Sequence, residues 1–449
     1  MRDDKVGIPQ YRRVTDYQRA FLAEADNYER VFLQWDMRLG KTLTTLRWFE
    51  RASCKRFLVV GPAAVLHDWQ QEASAENIPS AIVTREVTDA YTLSLASIPK
   101  GVTLVSYARL LRYPEILANY WDGIALDEST RIRNPKAKAS RLLVLRTTHI
   151  PRRICLSGCP APESSLDLIQ QYLFLCCGTV LDCANYWQFV NHYCRQVSQY
   201  EYIMPQAILS CLQAIPDVLV STKTKRQLGL ASPVTYQTRY VDVPANTMKS
   251  YRSAVKDYAL SDRETKYRFV VDTWLSQLAG SDHKDKELIN LLTQELCHQP
   301  VVVWFRYNDE LLRIKKKLDA HGLQALTIYG NVSHNDRAKR ITDFQKGNAR
   351  ILLVQIACGK FGLDFSAADT MIYFSHTYEY EAHAQSLERV QHIANKRNVL
   401  VIDLVSAGTI DEKIRRVLRE KDGAAKSIMQ RSFKAELDRE AQKWLSQKG

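Results

Sequence analysis

Two series of short apolar runs, separated by segments of helical period, constrain the fold of this chain more than any other feature. The first series comprises residues 56–60, 102–106, 123–126 and 153–156, and the second comprises 301–305, 325–329, 351–354, 371–374 and 399–404. Such runs are typical of strands that are buried on both faces of a parallel sheet and covered by helices. The sequence therefore predicts an α/β fold with two parallel sheets, one in each half.

A stretch of helical period with few strand-like runs, residues 165–295, lies between the two series. Beyond residue 423 the pattern is that of one amphipathic helix. The predicted domains are a first lobe at 1–235 with a helical and aromatic insertion at about 165–235, a helical connecting segment at 236–295, a second lobe at 296–420, and a C-terminal amphipathic helix at 421–449.

The charge balance suits a polyanionic partner. Of the 449 residues 46% are hydrophobic, enough to bury two ordinary cores, and the formal net charge is +13. A surplus of this sign favours binding to nucleic acid. No run reaches the ~18 apolar residues of a membrane span, and the first five residues form no apolar run. We expect a cytoplasmic protein without a membrane segment.

The ten cysteines contain no Cys-x-x-Cys pair, which argues against a disulfide framework. The densest group lies among bulky apolar residues and lacks the paired spacing of a zinc ribbon. Its members are Cys176, Cys177, Cys183, His192 and Cys194. Buried free thiols are the favoured interpretation, with a zinc site as the alternative.

The segment 36–42 resembles a phosphate-binding loop that precedes a helix. Gly40, Lys41 and Thr42 end it, and in such loops backbone N–H groups bind phosphates, the lysine reaches the β and γ phosphates, and the hydroxyl ligates Mg²⁺. The match is imperfect because Trp35 and Arg38 occupy two positions where glycine is common. Since the tripeptide alone is frequent, it needs a second motif in support.

Asp127 and Glu128 provide that second motif, because they directly follow a short apolar strand ending at Leu126. An acidic pair at the carboxyl end of a strand can hold Mg²⁺ through the first carboxylate and polarise a water through the second. We therefore predict that Asp127 and Thr42 hold the metal and that Glu128 acts as general base. The two motifs in this order indicate an ATP site.

Further segments resemble superfamily 2 helicases and translocases of the Swi/Snf-like group, in the compact form that bacteriophages carry. The resemblance runs from about residue 14 to 417. In the first half the matching residues are Tyr17-Gln18, Gly61-Pro62, Trp69, Glu72, Ser106-Tyr107, Arg133-Asn134 and Ser157 to Pro160. In the second half they are residues 301–305, Gly330, Arg337, Gly359, Gly362 to Asp364, and Gln385 to His392.

The resemblance implies two RecA-like lobes that use ATP and Mg²⁺ and bind DNA. It implies ATP contacts from Gln18, Arg38, Gly40, Lys41, Thr42, Gly362, Asp364 and Gln385. It implies DNA contacts from Trp69, Ser106, Tyr107, Arg133, Arg306 and Gln355. Arg389 is the implied arginine finger, whose guanidinium stabilises charge on the transferred phosphoryl group. The second arginine of this motif is replaced by His392, which is mostly neutral at pH 7.

The implied function is that of an ATP-dependent DNA helicase or translocase. Its expected substrates are forked, branched or duplex DNA in phage recombination, repair or replication, where it acts as a monomer by unwinding or branch migration. Two alternatives stay open at this point: an RNA helicase, and a DNA-binding scaffold whose ATPase has decayed, which the departures at Arg38, Cys159 and His392 suggest.

A stretch rich in aromatic residues follows the first series of strands. Most of its rings are expected in the core, while Tyr200 and Tyr202, in a polar alternating segment that predicts an exposed hairpin, are candidates for nucleic-acid contact. The rings are Tyr186, Trp187, Phe189, Tyr193, Tyr200 and Tyr202.

Overall fold

The structure is a computed structural model that describes residues 14–84, 100–198, 201–260, 275–280, 282–359, 363–391 and 397–425. The chain divides into two compact units, one containing the residues up to Leu228 and the other running from Gly229 to Gly423. Each unit has its own parallel sheet packed against helices. This confirms the predicted α/β fold with two parallel-sheet lobes.

The sheet of the first unit has seven parallel strands in the order β3-β4-β2-β5-β6-β1-β9. They are β1 Arg30–Trp35, β2 Arg56–Gly61, β3 Ser80–Ile82, β4 Gly101–Ser106, β5 Gly123–Asp127, β6 Arg152–Leu156 and β9 Val218–Lys223. Because β6 lies between β5 and β1, the segments that follow these three strands meet at one edge of the sheet. Ligands of open parallel sheets bind at this carboxyl edge.

The helices of the first unit bury apolar faces against this sheet. They are α1 Asp16–Ala25, α2 Lys41–Arg51, α3 Leu66–Ala75, α4 Tyr107–Arg112, α5 Lys138–Arg146, α6 Asp167–Leu175, α7 Tyr186–Tyr193 and α8 Gln206–Gln213, with 3₁₀ turns at Ala63–Val65, Pro114–Ala118 and Ser129–Ile132. Helix α2 buries Leu46, Trp48 and Phe49 completely. Its start at Lys41 is therefore fixed against the sheet.

A two-stranded antiparallel hairpin, β7 Arg195–Ser198 with β8 Glu201–Ile203, follows α7. Every residue of β7 is exposed. This confirms the predicted exposed hairpin. Tyr202 packs partly against the core of the first unit, and Tyr200 lies outside the described residues.

The sheet of the second unit has six parallel strands in the order β10-β15-β14-β11-β13-β12. They are β10 Val234–Val241, β11 Val301–Phe305, β12 Ala325–Ile328, β13 Ile351–Gln355, β14 Thr370–Tyr373 and β15 Val399–Ser406. Its helices are α9 Ala245–Leu260, α10 Asp282–Asn290, α11 Asn308–Ala320, α12 His334–Gln345, α13 Tyr380–Val390 and α14 at 410–425. Residues 275–279 are helical, Leu291–Glu295 form a π-helical turn and Ile356–Cys358 a 3₁₀ turn.

Several strands occur where the sequence did not predict them. β9 and β10 lie within the stretch of helical period, and β10 crosses the predicted boundary at 235/236 to pair with β15. β10 is an edge strand with mostly half-exposed or exposed residues, so it lacks the continuous apolar run of a central strand. The predicted C-terminal helix at 421–449 lies outside the described residues beyond 425.

None of the helices in the described part of the chain combines the length and the apolar character that crossing a bilayer requires.

Candidate nucleotide-binding site

The segment between β1 and α2 has the geometry of a phosphate-binding loop. It is fixed at its start because the Asp36 N–H donates to the carbonyl of Lys223 at 2.9 Å and the Asp36 carboxylate accepts from the Lys225 N–H at 2.7 Å. Helix α2 begins at Lys41, and the first N–H groups of a helix have no acceptor within it. These groups and the helix dipole fit a phosphate.

Lys41 is directed into the loop. Its ammonium group donates to the carbonyl oxygens of Trp35 at 2.7 Å and Asp36 at 3.2 Å. Thr42 is the second residue of α2 and is half-buried. A cation and a hydroxyl at the start of the helix are the groups that ATP with Mg²⁺ requires.

Two residues of the loop have left-handed backbone conformations. Gly40 has φ of 74°, and a β-carbon there would lie 2.3 Å from Nε2 of Gln18, so another residue would be strained and would displace the Gln18 amide. Arg38 has φ of 64°. A non-glycine residue in this region is strained, and here the strain falls on a position where glycine is common in such loops.

Gln18 supports the loop from helix α1. Its Nε2 donates to the carbonyl of Leu39 at 3.2 Å, and its Oε1 accepts from the N–H of Thr15 at 2.9 Å. The hydroxyl of Tyr17 donates to the same Leu39 carbonyl at 3.1 Å. These bonds join Gln18, a predicted ATP contact, to the backbone of the phosphate loop.

Asp127 ends β5 and has two hydrogen-bond donors on its carboxylate. The indole N–H of Trp69 donates to Oδ2 at 2.8 Å and the N–H of Glu128 donates to Oδ1 at 3.0 Å. Burial raises the pKa of Asp127, while the Trp69 hydrogen bond and the charge of Lys41 act in the opposite direction. A carboxylate within electrostatic range of Lys41 is an oxygen ligand of the kind that Mg²⁺ prefers.

Glu128 has a left-handed backbone, with φ of 50° and ψ of 57°, and its side chain is half-buried. Strain of this kind in a non-glycine residue persists where the surrounding structure enforces it, commonly at functional sites. It directs the residues after β5 into the turn Ser129–Ile132.

The segment that follows β6, Ser157 to Pro160, lies beside the phosphate loop. A β-carbon on Gly158 would be 3.4 Å from Cγ of Met37 and 3.5 Å from the carbonyl of Trp35. The contact follows from the strand order, because β6 is the neighbour of both β1 and β5.

Gln171 joins this segment to the residues after Asp127, a role that sequence analysis missed. Its Oε1 accepts from the hydroxyl of Ser129 at 2.6 Å, and its Nε2 donates to the carbonyl of Pro160 at 2.7 Å. The side chain is fully buried. A polar residue on an otherwise apolar helix was the available signal, since buried amides need partners.

The predicted DNA contact by Trp69 requires correction. The Trp69 side chain is 1% exposed and its indole N–H is used by Asp127, so it offers no surface to DNA. The Tyr107 hydroxyl donates to the Asp127 carbonyl at 3.0 Å, and the Ser106 hydroxyl accepts from the Arg109 N–H at 3.1 Å to cap α4. Arg133 is half-buried at the end of the turn after Glu128.

In the second unit, the structure brings Arg306 and Gln355 together at the carboxyl ends of β11 and β13, where Phe305 pairs with Gln355. The Arg306 N–H donates to the Ser375 hydroxyl at 2.8 Å, and its guanidinium donates to Ser276 at 3.3 Å. The thiol of Cys358 donates to Oε1 of Gln355 at 3.2 Å.

The remaining predicted residues of the second unit lie around helix α13. The N–H of Phe365, next to Asp364, donates to the carbonyl of Arg389 at 3.0 Å. Gln385 is 1% exposed and donates to Glu381 at 3.2 Å. The Arg389 side chain is half-buried. Gly362 and His392 lie outside the described residues.

Two parallel-sheet units, with a phosphate-binding loop and an acidic pair at the carboxyl edge of the first sheet, define a P-loop nucleotide-binding protein. Family models agree: a SNF2-related domain matches residues 20–298 and a helicase conserved C-terminal domain matches residues 283–394. The chain belongs to the SNF2-related family, which confirms the resemblance to the Swi/Snf-like group.

Individual relatives are distant. YwqA of Bacillus subtilis is 24% identical over 88% of this chain and 46% of its own length, and the ISWI chromatin-remodeling complex ATPase ISW1 of Saccharomyces cerevisiae is 22% identical over 84% and 37%. The chain thus spans less than half of these relatives. Protein p41 of Acyrthosiphon pisum secondary endosymbiont phage 1 is 22% identical over 89% of this chain and 94% of its own length.

A solved Sulfolobus solfataricus SWI2/SNF2 ATPase core in complex with double-stranded DNA aligns with 98% of both chains at 20% identity and a TM-score of 0.44.

Proposed function

We propose that this protein is an ATP-dependent DNA helicase or translocase that remodels forked or branched DNA. The observation that carries the proposal is the convergence of Lys41, Asp127 and Glu128 at the carboxyl edge of the first sheet in a SNF2-related chain. A lysine, a metal-binding carboxylate and a candidate base at one sheet edge suit phosphoryl transfer to water. The hydrolysis of ATP with Mg²⁺ supplies the free energy for movement.

The residues of the first unit have separate roles in this proposal. Lys41 exchanges its carbonyl partners for phosphate oxygens, and the N–H groups at the start of α2 bind the same phosphates. Asp127 and Thr42 hold Mg²⁺, and Glu128 accepts a proton from the attacking water. Gln18 and Arg38 contact the nucleotide.

Residues of the second unit complete the proposed mechanism. Arg389 stabilises the negative charge that develops on the phosphoryl oxygens, while Gln385, Asp364 and Gly362 position the nucleotide. The hydrogen bond between the Phe365 N–H and the Arg389 carbonyl supports a coupled response of these two segments. A change from bound ATP to bound ADP then alters the affinity of both units for DNA.

DNA contact is proposed for Arg133, Arg306 and Gln355. Arg133 follows the acidic pair, and Arg306 and Gln355 share one edge of the second sheet. The net charge of +13 supports binding to phosphates, which gives affinity without reading base sequence. We place the protein in the cytoplasm, of the host cell if a phage encodes it, acting as a monomer on DNA.

The similarity to p41 over 94% of that phage protein supports a motor of the kind that a phage encodes. Among tasks for such a motor, we favour branch migration or unwinding in phage recombination, repair or replication. A decayed ATPase is disfavoured because Lys41, Thr42, Asp127, Glu128 and Arg389 are all present.

ATP turnover, measured with single-stranded, duplex, forked and four-way-junction DNA and with RNA, tests the proposal. We expect stimulation by DNA, greatest for forked or branched substrates. Stimulation by RNA alone would instead indicate an RNA helicase. Tight DNA binding without turnover on any substrate would indicate a scaffold.

A further inference from the structure

Trp187 is an exception among the described tryptophans. Its side chain is 45% exposed, whereas each of the others is at most 1% exposed. The buried ones are Trp35, Trp48, Trp69, Trp121 and Trp304. The ring therefore leaves apolar surface in water that a flat ligand can cover.

The helix that carries Trp187, α7, is fixed by capping hydrogen bonds at its start and by packing of its buried face. Asn185 caps helix α7 by accepting from the Gln188 N–H at 2.9 Å, and the Gln188 side chain accepts from the Ala184 N–H at 2.9 Å. Phe189, on the same helix, is completely buried. The helix therefore fixes the backbone position of Trp187 at the surface of the unit.

A cation lies next to the exposed ring. The ammonium group of Lys136 is 5.8 Å from the ring centroid of Trp187, and the ring of Tyr186 meets the indole edge-on at 5.1 Å. Lys136 is itself held, because its N–H donates to Asn134 at 2.9 Å and its carbonyl accepts from Arg141 at 3.0 Å. We call Lys136, Tyr186 and Trp187 the aromatic patch.

The segment that carries Lys136 is strongly basic. Residues 131–141 contain no acidic residue and five cations, namely Arg131, Arg133, Lys136, Lys138 and Arg141. All but the half-buried Arg133 are exposed. Asp167 of α6 is within electrostatic range of Arg133, and its carboxylate accepts hydrogen bonds from the N–H groups of Glu163 and Ser164. The charge of this surface complements a polyanion.

We propose that the aromatic patch stacks an unpaired nucleic-acid base on Trp187 while Lys136 binds the adjacent phosphate. An aromatic face beside cations is the chemistry that binds single strands. Within a duplex the base faces are stacked on one another and are unavailable, so the patch selects DNA with a single-stranded part. This inference rests on the proposed function and narrows its substrate to forks and junctions with unpaired nucleotides.

The test measures dissociation constants for oligothymidine, a blunt duplex and a fork with single-stranded arms. For Trp187→Ala we expect about tenfold weaker binding to the oligothymidine and to the fork, because one base–aromatic stacking contact is lost. The dissociation constant for the duplex should change by less than about twofold. Trp187→Phe should retain most of the affinity. Lys136→Ala should weaken binding to all three and reduce the salt slope by about one.

Tyr120→Ala is the matched control. Tyr120 is 63% exposed in the same unit, just before the amino end of β5, and its loss should change none of the constants. Equal weakening of all three DNAs by Trp187→Ala, or none, would overturn the inference. If the wild-type protein binds duplex DNA and hydrolyses ATP on it while Trp187→Ala binds forks normally, only this inference fails. If the wild type responds to no DNA, the proposed function fails as well.

Discussion

The indole N–H of Trp69 donates a hydrogen bond of 2.8 Å to the carboxylate of Asp127, a residue 58 positions further along the chain. The bond fixes one carboxylate oxygen from the side of helix α3, while the Glu128 N–H occupies the other. Metal-binding carboxylates depend on such partners for their orientation. Trp69 is thus a positioning residue for the proposed Mg²⁺ site.

Replacing Trp69 by phenylalanine should weaken Mg²⁺ binding while retaining an aromatic ring in the core. Burial already raises the pKa of Asp127 and the Trp69 bond opposes this, so its loss raises that pKa further. Since Mg²⁺ binds the ionised carboxylate, half-maximal turnover should need more Mg²⁺, and the acidic limb of the pH profile should move to higher pH. ATP turnover as a function of Mg²⁺ concentration and pH checks this.

Trp121→Phe is the control for that experiment. Trp121 is equally buried and donates to the carbonyl of Ile116 at 2.9 Å, away from Asp127. It should lower stability without changing the Mg²⁺ requirement. The same Mg²⁺ shift in both variants would show that the effect is general destabilisation.

Substitutions of Lys41 and Glu128 should affect different steps, ATP binding for Lys41 and ATP turnover for Glu128. Lys41→Ala removes the cation that reaches the phosphates, so ATP affinity should fall by about tenfold or more. Glu128→Gln keeps the shape of the side chain but cannot accept a proton, so ATP should bind normally while turnover drops by at least about 10²-fold. ATP affinity and single-turnover rates for both variants separate the two roles. Turnover like the wild type in Glu128→Gln would exclude it as the base.

The hydrogen bonds of Gln171 should stabilise the segments that follow β5 and β6 and support ATP turnover. Gln171→Leu leaves the buried Ser129 hydroxyl and Pro160 carbonyl without this partner, which costs ~1–3 kcal/mol for each group. Gln171→Glu preserves the acceptor for Ser129 but removes the donor to Pro160. Urea unfolding and ATP turnover of both variants, with the exposed Gln71→Ala as a control in the same unit, test this. If both variants retain normal stability and turnover, the bridge has no role.

The local motifs of this site were predictable because their chemistry is contained in consecutive residues. Lys41 and Thr42 start a helix directly after Gly40, and Asp127 ends a strand whose apolar run was predicted. Strand β1, which precedes the phosphate loop, was not predicted. The parallel sheets were predictable for the same reason, since β11 and β13 are continuous apolar runs.

The supporting contacts were not predictable in this way. Trp69 was interpreted as a DNA contact, because nothing in its neighbourhood in the sequence reveals that Asp127 lies within hydrogen-bond distance. Strand β10 was missed because its polar and half-exposed residues match the pattern of an edge strand only when the strand beside it is known.

Glu310 should make the stability of the second unit depend on pH. It is 2% exposed, accepts a 2.6 Å hydrogen bond from Ser375, and burial raises its pKa from 4.5 to about 7. The folded state therefore holds a proton that the unfolded state releases, so its contribution is present below pH 4.5 and is lost as pH rises towards 7. The loss is of the order of ~3 kcal/mol.

Glu310→Gln removes this titration and retains an acceptor for Ser375. We expect the variant to gain stability relative to the wild type as pH rises from 5 to 8, measured as urea midpoints. The exposed Glu420→Gln in the same unit serves as the control. Parallel pH dependence of Glu310→Gln and the wild type would contradict the raised pKa.

The effect of replacing Arg389 on ATP turnover distinguishes an active motor from a DNA-binding scaffold whose ATPase has decayed. If its guanidinium stabilises the charge that develops during hydrolysis, Arg389→Ala should lower DNA-stimulated turnover by roughly 10³-fold or more while ATP and DNA binding persist, because the charge matters mainly in the transition state. His392→Ala should cost much less if the imidazole is neutral. If His392 instead acts as a cation, His392→Arg should preserve activity and abolish the decline of turnover as pH rises through the histidine pKa. Profiles of turnover against pH for the three variants distinguish these outcomes, and unimpaired turnover in Arg389→Ala would exclude its role as the arginine finger.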